Sequence, residues 1–214
     1  MSLSLFTTLY VGNKVIVPGD AATIAHNIAR FEGLFRAGIG IDILVFVSDV
    51  IIAWAFYELL HSVDSALARL GLFLRIADAA VLASVTLSGF ITLRLVSGTD
   101  YLKAVGSQQS QGLARLFMSI RSDGQFIGFV FLGLGSTVFA YLLFKSRYVP
   151  RVLSGWGMFA SPLLAIASLG SLLSPGFRAN LSEPLMGPMF FYEVSLGLWF
   201  LIKGVRISQA VCER

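Results

Sequence analysis

The chain has 214 residues and a net charge of +4; 56% of its residues are hydrophobic, only 13% are charged, and its mean hydropathy is +0.80. A soluble domain carries about 25% charged and about 45–50% apolar residues, so this composition excludes an ordinary soluble enzyme, a disordered chain and a coiled coil. The basic residues lie mostly between apolar runs, where they flank a bilayer rather than bind nucleic acid, so we expect a multi-spanning membrane protein with lipids as partners and no nucleic acid.

The N-terminal part begins with a short apolar stretch, Leu3–Val17, which Asn13 and Lys14 interrupt. We interpret it as the end of a spanning helix whose beginning is absent. A turn follows at Pro18-Gly19-Asp20, where Asp20 is a suitable N-cap residue. The next segment, Ala21–Phe35, has apolar residues spaced by three and four positions, and this spacing predicts an amphipathic helix.

Five later stretches are long and apolar enough to cross a bilayer, which takes about 20 residues. They are Gly38–Leu60, Leu70–Val96, Gln125–Phe144, Val152–Leu173 and Leu185–Val205. A second amphipathic stretch, Tyr101–Ile120, is interpreted as interfacial, with a connector helix packed on loops as the alternative. The predicted fold is therefore all-α. It is a polytopic transmembrane helix bundle in a single integral membrane domain over residues 1–214, with five complete spans, a truncated N-terminal helix and two interfacial segments.

Orientation follows from the positive charges in short loops, which favour the cytoplasmic side. The loop after the third span carries Lys145, Arg147 and Arg151, and the C-terminal tail carries Lys203 and Arg206. If the spans alternate, both segments lie on the same side of the membrane. We therefore predict a multi-pass protein of the cell membrane with a cytoplasmic C-terminus.

Ionisable residues inside the predicted spans are the most informative ones, since each costs about 2.5–3.5 kcal/mol at the centre of a bilayer on insertion scales. Four acids and one base lie at depth: Asp42, Asp49, Asp78, Glu193 and Arg75. Asp42 precedes Asp49 by two helical turns, which places both on one helix face. Arg75 can pair with one or two carboxylates, and the surplus acid must be protonated, hydrated or bound to a cation. We hypothesise a buried polar cluster of Asp49, Arg75, Asp78 and Glu193, with Asp42 as an associated acid.

A purely structural interpretation of these residues stays open, because interhelical hydrogen bonds lock membrane helices together by about 0.6 kcal/mol each. Small residues also promote close packing of helices. Gly124 and Gly128 form such a pair, for which we favour internal packing, with homodimerisation as the alternative.

Patterns typical of catalysis, metal binding or cofactor binding are missing. Neither histidine lies within a long apolar run, no zinc-protease or phosphate-loop motif occurs, and the single cysteine, Cys212, excludes an internal disulfide framework and a cysteine-rich metal site. We therefore expect no metal and no cofactor, and we do not assign a catalytic residue.

Several collinear pieces of the sequence carry a family resemblance. They are Ile16–Ala22, Phe35–Ile39, Asp42, Asp49, Arg75 with Asp78, Lys145–Arg151, and Glu193 with Leu198–Val205. From about Ile16 to Val205 the chain resembles the bacterial inner-membrane proteins of the family called domain of unknown function 4386. The resemblance implies six spans and no established activity. This chain departs from it in having only a stub, Leu3–Val11, before the Pro-Gly-Asp turn, from either a late start codon or a natural truncation.

Three functions fit these observations. The first is an integral membrane protein whose polar cluster binds or passes a small solute or proton. The second is a membrane-embedded enzyme acting on a lipid or isoprenoid, with Asp49, Asp78 or Glu193 as the acid or base. The third is a structural accessory subunit that uses the glycine pair as its interface.

Overall fold

The computed structural model describes residues 27–28, 30–96, 107–180 and 182–205. Its elements are α1 (Glu32–Leu60), α2 (Ser65–Val96), α3 (Ser107–Ser146), α4 (Arg151–Leu173), α5 (Pro175–Asn180) and α6 (Ser182–Lys203). Within these ranges there is no strand, and the five helices other than α5 are long and apolar enough to cross a membrane. The predicted all-α bundle with five spans is therefore confirmed.

All five membrane-length helices begin earlier than the apolar stretches that predicted them, α4 by only one residue. α1 starts at Glu32 rather than Gly38, and α2 starts at Ser65 rather than Leu70. The side chains of Glu32 and Arg36, at the start of α1, are exposed and form an ion pair at 2.7 Å. Polar residues end an apolar run without ending a helix, because the backbone hydrogen bonds continue through them.

The predicted interfacial segment Tyr101–Ile120 is corrected by the structure from Ser107 onward. α3 runs without a break over 40 residues, about 60 Å, whereas the hydrocarbon core of a bilayer is about 30 Å thick. Ala114 and Met118 in this part of α3 are buried, and Met118 belongs to a core cluster with Phe35 and Leu93. The amphipathic pattern therefore marks the face of a long helix that packs against protein.

The N-terminal predictions fall mostly outside the described residues. The stretch Leu3–Val17, the turn at Pro18 and the first part of the amphipathic segment Ala21–Phe35 are among them. Within the described part of that segment, Ile28 and Phe35 are buried in the same core cluster as Met118.

The helix boundaries are set by local chemistry at the connections. The Asp64 carboxylate accepts a hydrogen bond of 3.1 Å from the Leu67 amide, so Asp64 caps the start of α2. Arg147 adopts a positive φ of 59° directly after α3, and Gly204 does so after α6 with a φ of 65°. The left-handed conformation ends a helix by turning the chain away from the helical path.

The contacts of the chain fall into two compact units. The first comprises Met1–Ser48 with Ala79–Gln125, and the second comprises Asp49–Asp78 with Phe126–Arg214. In the second unit α4 packs on α6, where a Cβ on Gly157 would collide with the ring of Tyr192. The single integral membrane domain over residues 1–214 stays a prediction.

Candidate functional site

Arg75 on α2 is the centre of a group of charged side chains in the second unit. Its Nη2 donates a hydrogen bond of 3.2 Å to Oδ1 of Asp49 on α1. Its Nη1 lies 3.6 Å from Oδ2 of Asp78, which follows three residues later on the same helix. The side chains of Arg75 and Asp49 are only 8% and 18% exposed. One guanidinium therefore faces two carboxyl groups in a largely buried setting.

The two aspartates differ in how they are held. Asp49 accepts a hydrogen bond from Arg75, whereas Asp78 is 0% exposed and neither of its carboxyl oxygens has a hydrogen-bond partner among the described residues. The Arg75 Nη1 is likewise buried without a hydrogen-bond acceptor there. A separation of 3.6 Å brings opposite charges close but exceeds the length of a normal hydrogen bond.

Glu193 on α6 adds a third carboxyl group. It is partly buried and lies near enough to Arg75, Asp49 and Asp78 for their charges to interact. The structure therefore brings together Asp49, Arg75, Asp78 and Glu193, which we call the acidic cluster.

Gly135 on α3 makes room for the arginine. A Cβ at this position would lie 3.1 Å from Cγ and 3.3 Å from Cδ of Arg75, and 3.2 Å from Cβ of Leu74. These separations are tighter than ordinary van der Waals contact. A glycine at position 135 therefore lets the Arg75 side chain lie against the backbone of α3.

The acidic cluster lies far from the helix ends. Counting residues to Leu60, Ser65 and Lys203, its members are about 15–20 Å along their helices from these ends at 1.5 Å per residue. Half of a typical hydrocarbon core is about 15 Å. Helix ends at the edge of the hydrocarbon core would therefore place the acidic cluster near the bilayer centre.

Three phenylalanines pack together between the acidic cluster and those helix ends. The rings of Phe56 and Phe139 are stacked with centroids 5.3 Å apart, and the ring of Phe200 meets Phe56 edge-on at 5.8 Å. Each lies one or two helical turns beyond Asp49, Gly135 or Glu193 on its helix. We call these three residues the aromatic layer.

Asp42 has a different partner from the one that the sequence suggested. In the first unit, Nη2 of Arg121 donates a hydrogen bond to Oδ2 of Asp42, and both side chains are largely buried. Gly89 on α2 adjoins this arginine as Gly135 adjoins Arg75. Asp42, which the sequence analysis associated with the cluster of Asp49, thus forms a charge-balanced pair with Arg121.

Arg121 is the charged residue that the sequence interpretation missed. It precedes the predicted third span and is not among the residues predicted at depth, whereas it lies within α3 with its side chain 16% exposed. The available signal was the absence of proline between Ser107 and Ser146, which allows one continuous helix.

The glycine pair lies at a close helix contact within the first unit at Gly124. A Cβ there would come within 2.3 Å of Cγ2 of Val85 on α2. Gly128, one turn later, is also buried.

Five membrane-length apolar helices, with ionisable residues buried among them, define an integral membrane protein of the helical, multi-pass class. The chain belongs to the family described as Domain of unknown function (DUF4386), whose model matches residues 1–204. It is similar to an uncharacterised protein of the archaeon Archaeoglobus fulgidus, with 28% identity over 169 residues that make up 78% of this chain and 84% of the relative. No solved structure matches the chain.

Proposed function

We propose that this protein binds a proton, or a small cationic solute in its place, at the acidic cluster and passes it through the membrane. The observation that carries the proposal is the charge imbalance around Arg75: its one guanidinium faces the carboxyl groups of both Asp49 and Asp78. An uncompensated carboxylate at low dielectric costs far more than the same group in water. A bound proton or cation neutralises such a carboxylate at the lowest free-energy cost.

The pair formed by Asp42 and Arg121 shows what a purely structural charge pair looks like in this chain. It has one carboxylate and one guanidinium, so it needs no further ion. Among the described residues, Arg75 instead faces two carboxyl groups, those of Asp49 and Asp78, which is one more than its single charge neutralises. This difference favours a binding role for the cluster over a role in locking the helices alone.

The two alternative functions have less support. Carboxyl groups about 15–20 Å from the helix ends lie too deep to meet a lipid headgroup, which an enzyme acting at the membrane surface would need. The close contact between Gly124 and Val85 is made within one chain, which supports internal packing rather than an accessory interface. An orientation with the C-terminus in the cytoplasm is part of our proposal.

Passage is tested in proteoliposomes that contain a pH-sensitive dye, after an external acid pulse and with valinomycin and potassium to balance charge. We expect the wild-type protein to acidify the interior several-fold faster than the triple variant D49N/D78N/E193Q. The control variant D64N changes a carboxylate in the loop between α1 and α2 and should keep the wild-type rate. Equal rates for wild type and triple variant would contradict proton passage, and the same assay with alkali cations then tests passage of a cation.

A further inference from the structure

We infer that Asp78 carries the exchangeable proton of the acidic cluster, while Asp49 stays ionised against Arg75. This inference deepens the proposed function and rests on it. Asp49 and Asp78 both lie beside the guanidinium of Arg75, but they differ in hydrogen bonding and in burial, and this difference supports the inference.

Asp49 is supported as an anion. It receives a hydrogen bond of 3.2 Å from Nη2 of Arg75, so it has a positively charged donor. A charge-assisted hydrogen bond of this kind stabilises the ionised form.

Asp78 lacks this support. It is fully buried, and no donor among the described residues lies within hydrogen-bonding distance of either carboxyl oxygen. A neutral carboxylic acid tolerates such a place far better than a carboxylate does. Asp78 is therefore the carboxyl group at which binding a proton lowers the free energy the most.

Within the described part of the chain, the charged groups that act on Asp78 come from three helices. They are Arg75 on its own helix, Asp49 on α1 and Glu193 on α6; α3 contributes Gly135, which has no charge. Two of these three groups are acids, whose negative charges oppose the ionisation of Asp78. The three groups together therefore do not offset the free-energy cost of ionising this buried carboxyl group.

The buried Nη1 of Arg75 can donate a hydrogen bond to Asp78 once Asp78 has lost its proton. When the O–H bond of Asp78 breaks, the electron pair stays on the carboxyl oxygen and the proton leaves to water or to the Glu193 carboxylate. The new carboxylate then lies 3.6 Å from Nη1, which has no other acceptor among the described residues and needs only a small shift to donate to it. Arg75 thus changes from holding one aspartate to bridging two, with no oxidant or reductant required.

Infrared difference spectroscopy of the protein in lipid, recorded across a pH titration in H2O and D2O, tests the assignment. A buried protonated carboxyl group gives a C=O stretching band that shifts on deuteration. We expect a titrating band in the wild type, in E193Q and in D49N, and its loss in D78N, while D64N leaves it unchanged. The variant D78E should move the frequency of the band, so that the assignment can be decided even if D78N does not fold.

The outcomes separate this inference from the function on which it rests. The assignment to Asp78 would be overturned if the titrating band disappears in E193Q or D49N while it persists in D78N or keeps its frequency in D78E. Proton binding by the cluster would still stand in that case. The absence of any titrating band that depends on these three carboxyl groups would overturn both.

Discussion

Gly135 lies directly against the stem of Arg75, so that a Cβ on the glycine would come within 3.1 Å of the arginine Cγ. Because residue 135 has no side chain beyond a hydrogen atom, the stem of Arg75 has room to lie there and its guanidinium can lie between Asp49 and Asp78.

This relationship predicts that Gly135→Leu is harmful. The larger side chain must displace Arg75, and overpacking a well-packed interior costs about 1–3 kcal/mol. We expect a lower midpoint of thermal unfolding in detergent and a weaker titrating carboxyl band. Gly155→Leu is the matched control, because among the described residues nothing lies within 4 Å of a Cβ at that glycine. Equal losses in both variants would show that Gly135 has no special relation to Arg75.

Removal of the arginine should be more damaging than removal of an exposed one. Arg75→Leu removes the guanidinium that pairs with Asp49 and Asp78, and breaking a buried ion pair costs about 3–5 kcal/mol. The exposed pair of Arg36 with Glu32 contributes less than about 1 kcal/mol, so Arg36→Leu should change the unfolding midpoint little.

The double variant R75L/D49N distinguishes a charge effect from a packing effect. If uncompensated charge causes the loss, neutralising Asp49 as well should restore part of the stability of R75L. A double variant that is less stable than R75L by the full effect of D49N alone would show that the two residues act independently.

The aromatic layer should limit the access of water to the acidic cluster from the loop end of the second unit. Phe139→Ala removes a buried ring that contacts Phe56, and such truncations cost about 3–5 kcal/mol. We expect faster hydrogen–deuterium exchange of the protonated carboxyl band in this variant. Phe159→Ala, whose ring is on a side chain 58% exposed, should leave the exchange rate unchanged. An exchange rate that is the same in all three proteins would show that water reaches the cluster by another route.

The orientation can be read from the native thiol, since Cys212 is the single cysteine of the chain. The positive charges of Lys145, Arg147 and Arg151 predict a cytoplasmic C-terminus. A membrane-impermeant maleimide should therefore label Cys212 in inside-out vesicles and not in right-side-out vesicles or intact cells. The reverse labelling pattern would invert the proposed topology.

Much of the fold follows from the sequence because long apolar runs have few alternatives in a bilayer. The C-terminal ends of α1, α2 and α4 agree with the predicted spans at Leu60, Val96 and Leu173. The N-terminal ends do not, since hydropathy records where apolar character stops, whereas helices such as α3 continue through Ser122 and Asp123 into polar sequence.

The composition of the site was only partly predictable. The spacing of Arg75 and Asp78 on one helix indicates their contact directly, because residues three apart lie on one face. No local pattern reveals that Asp42 meets Arg121, since the two are 79 positions apart and their contact depends on how α3 packs. The functional meaning of the acidic cluster stays a hypothesis.

The most direct test of the account is a count of protons bound by the purified protein during an acid–base titration in detergent. Surface aspartates and glutamates have pKa values of about 4, so above about pH 5 they contribute little uptake, and the two histidines are common to all variants. The account predicts that the wild type takes up at least one more proton in this range than D49N/D78N/E193Q, while D64N matches the wild type. Identical uptake by the wild type and the triple variant would contradict proton binding at the acidic cluster.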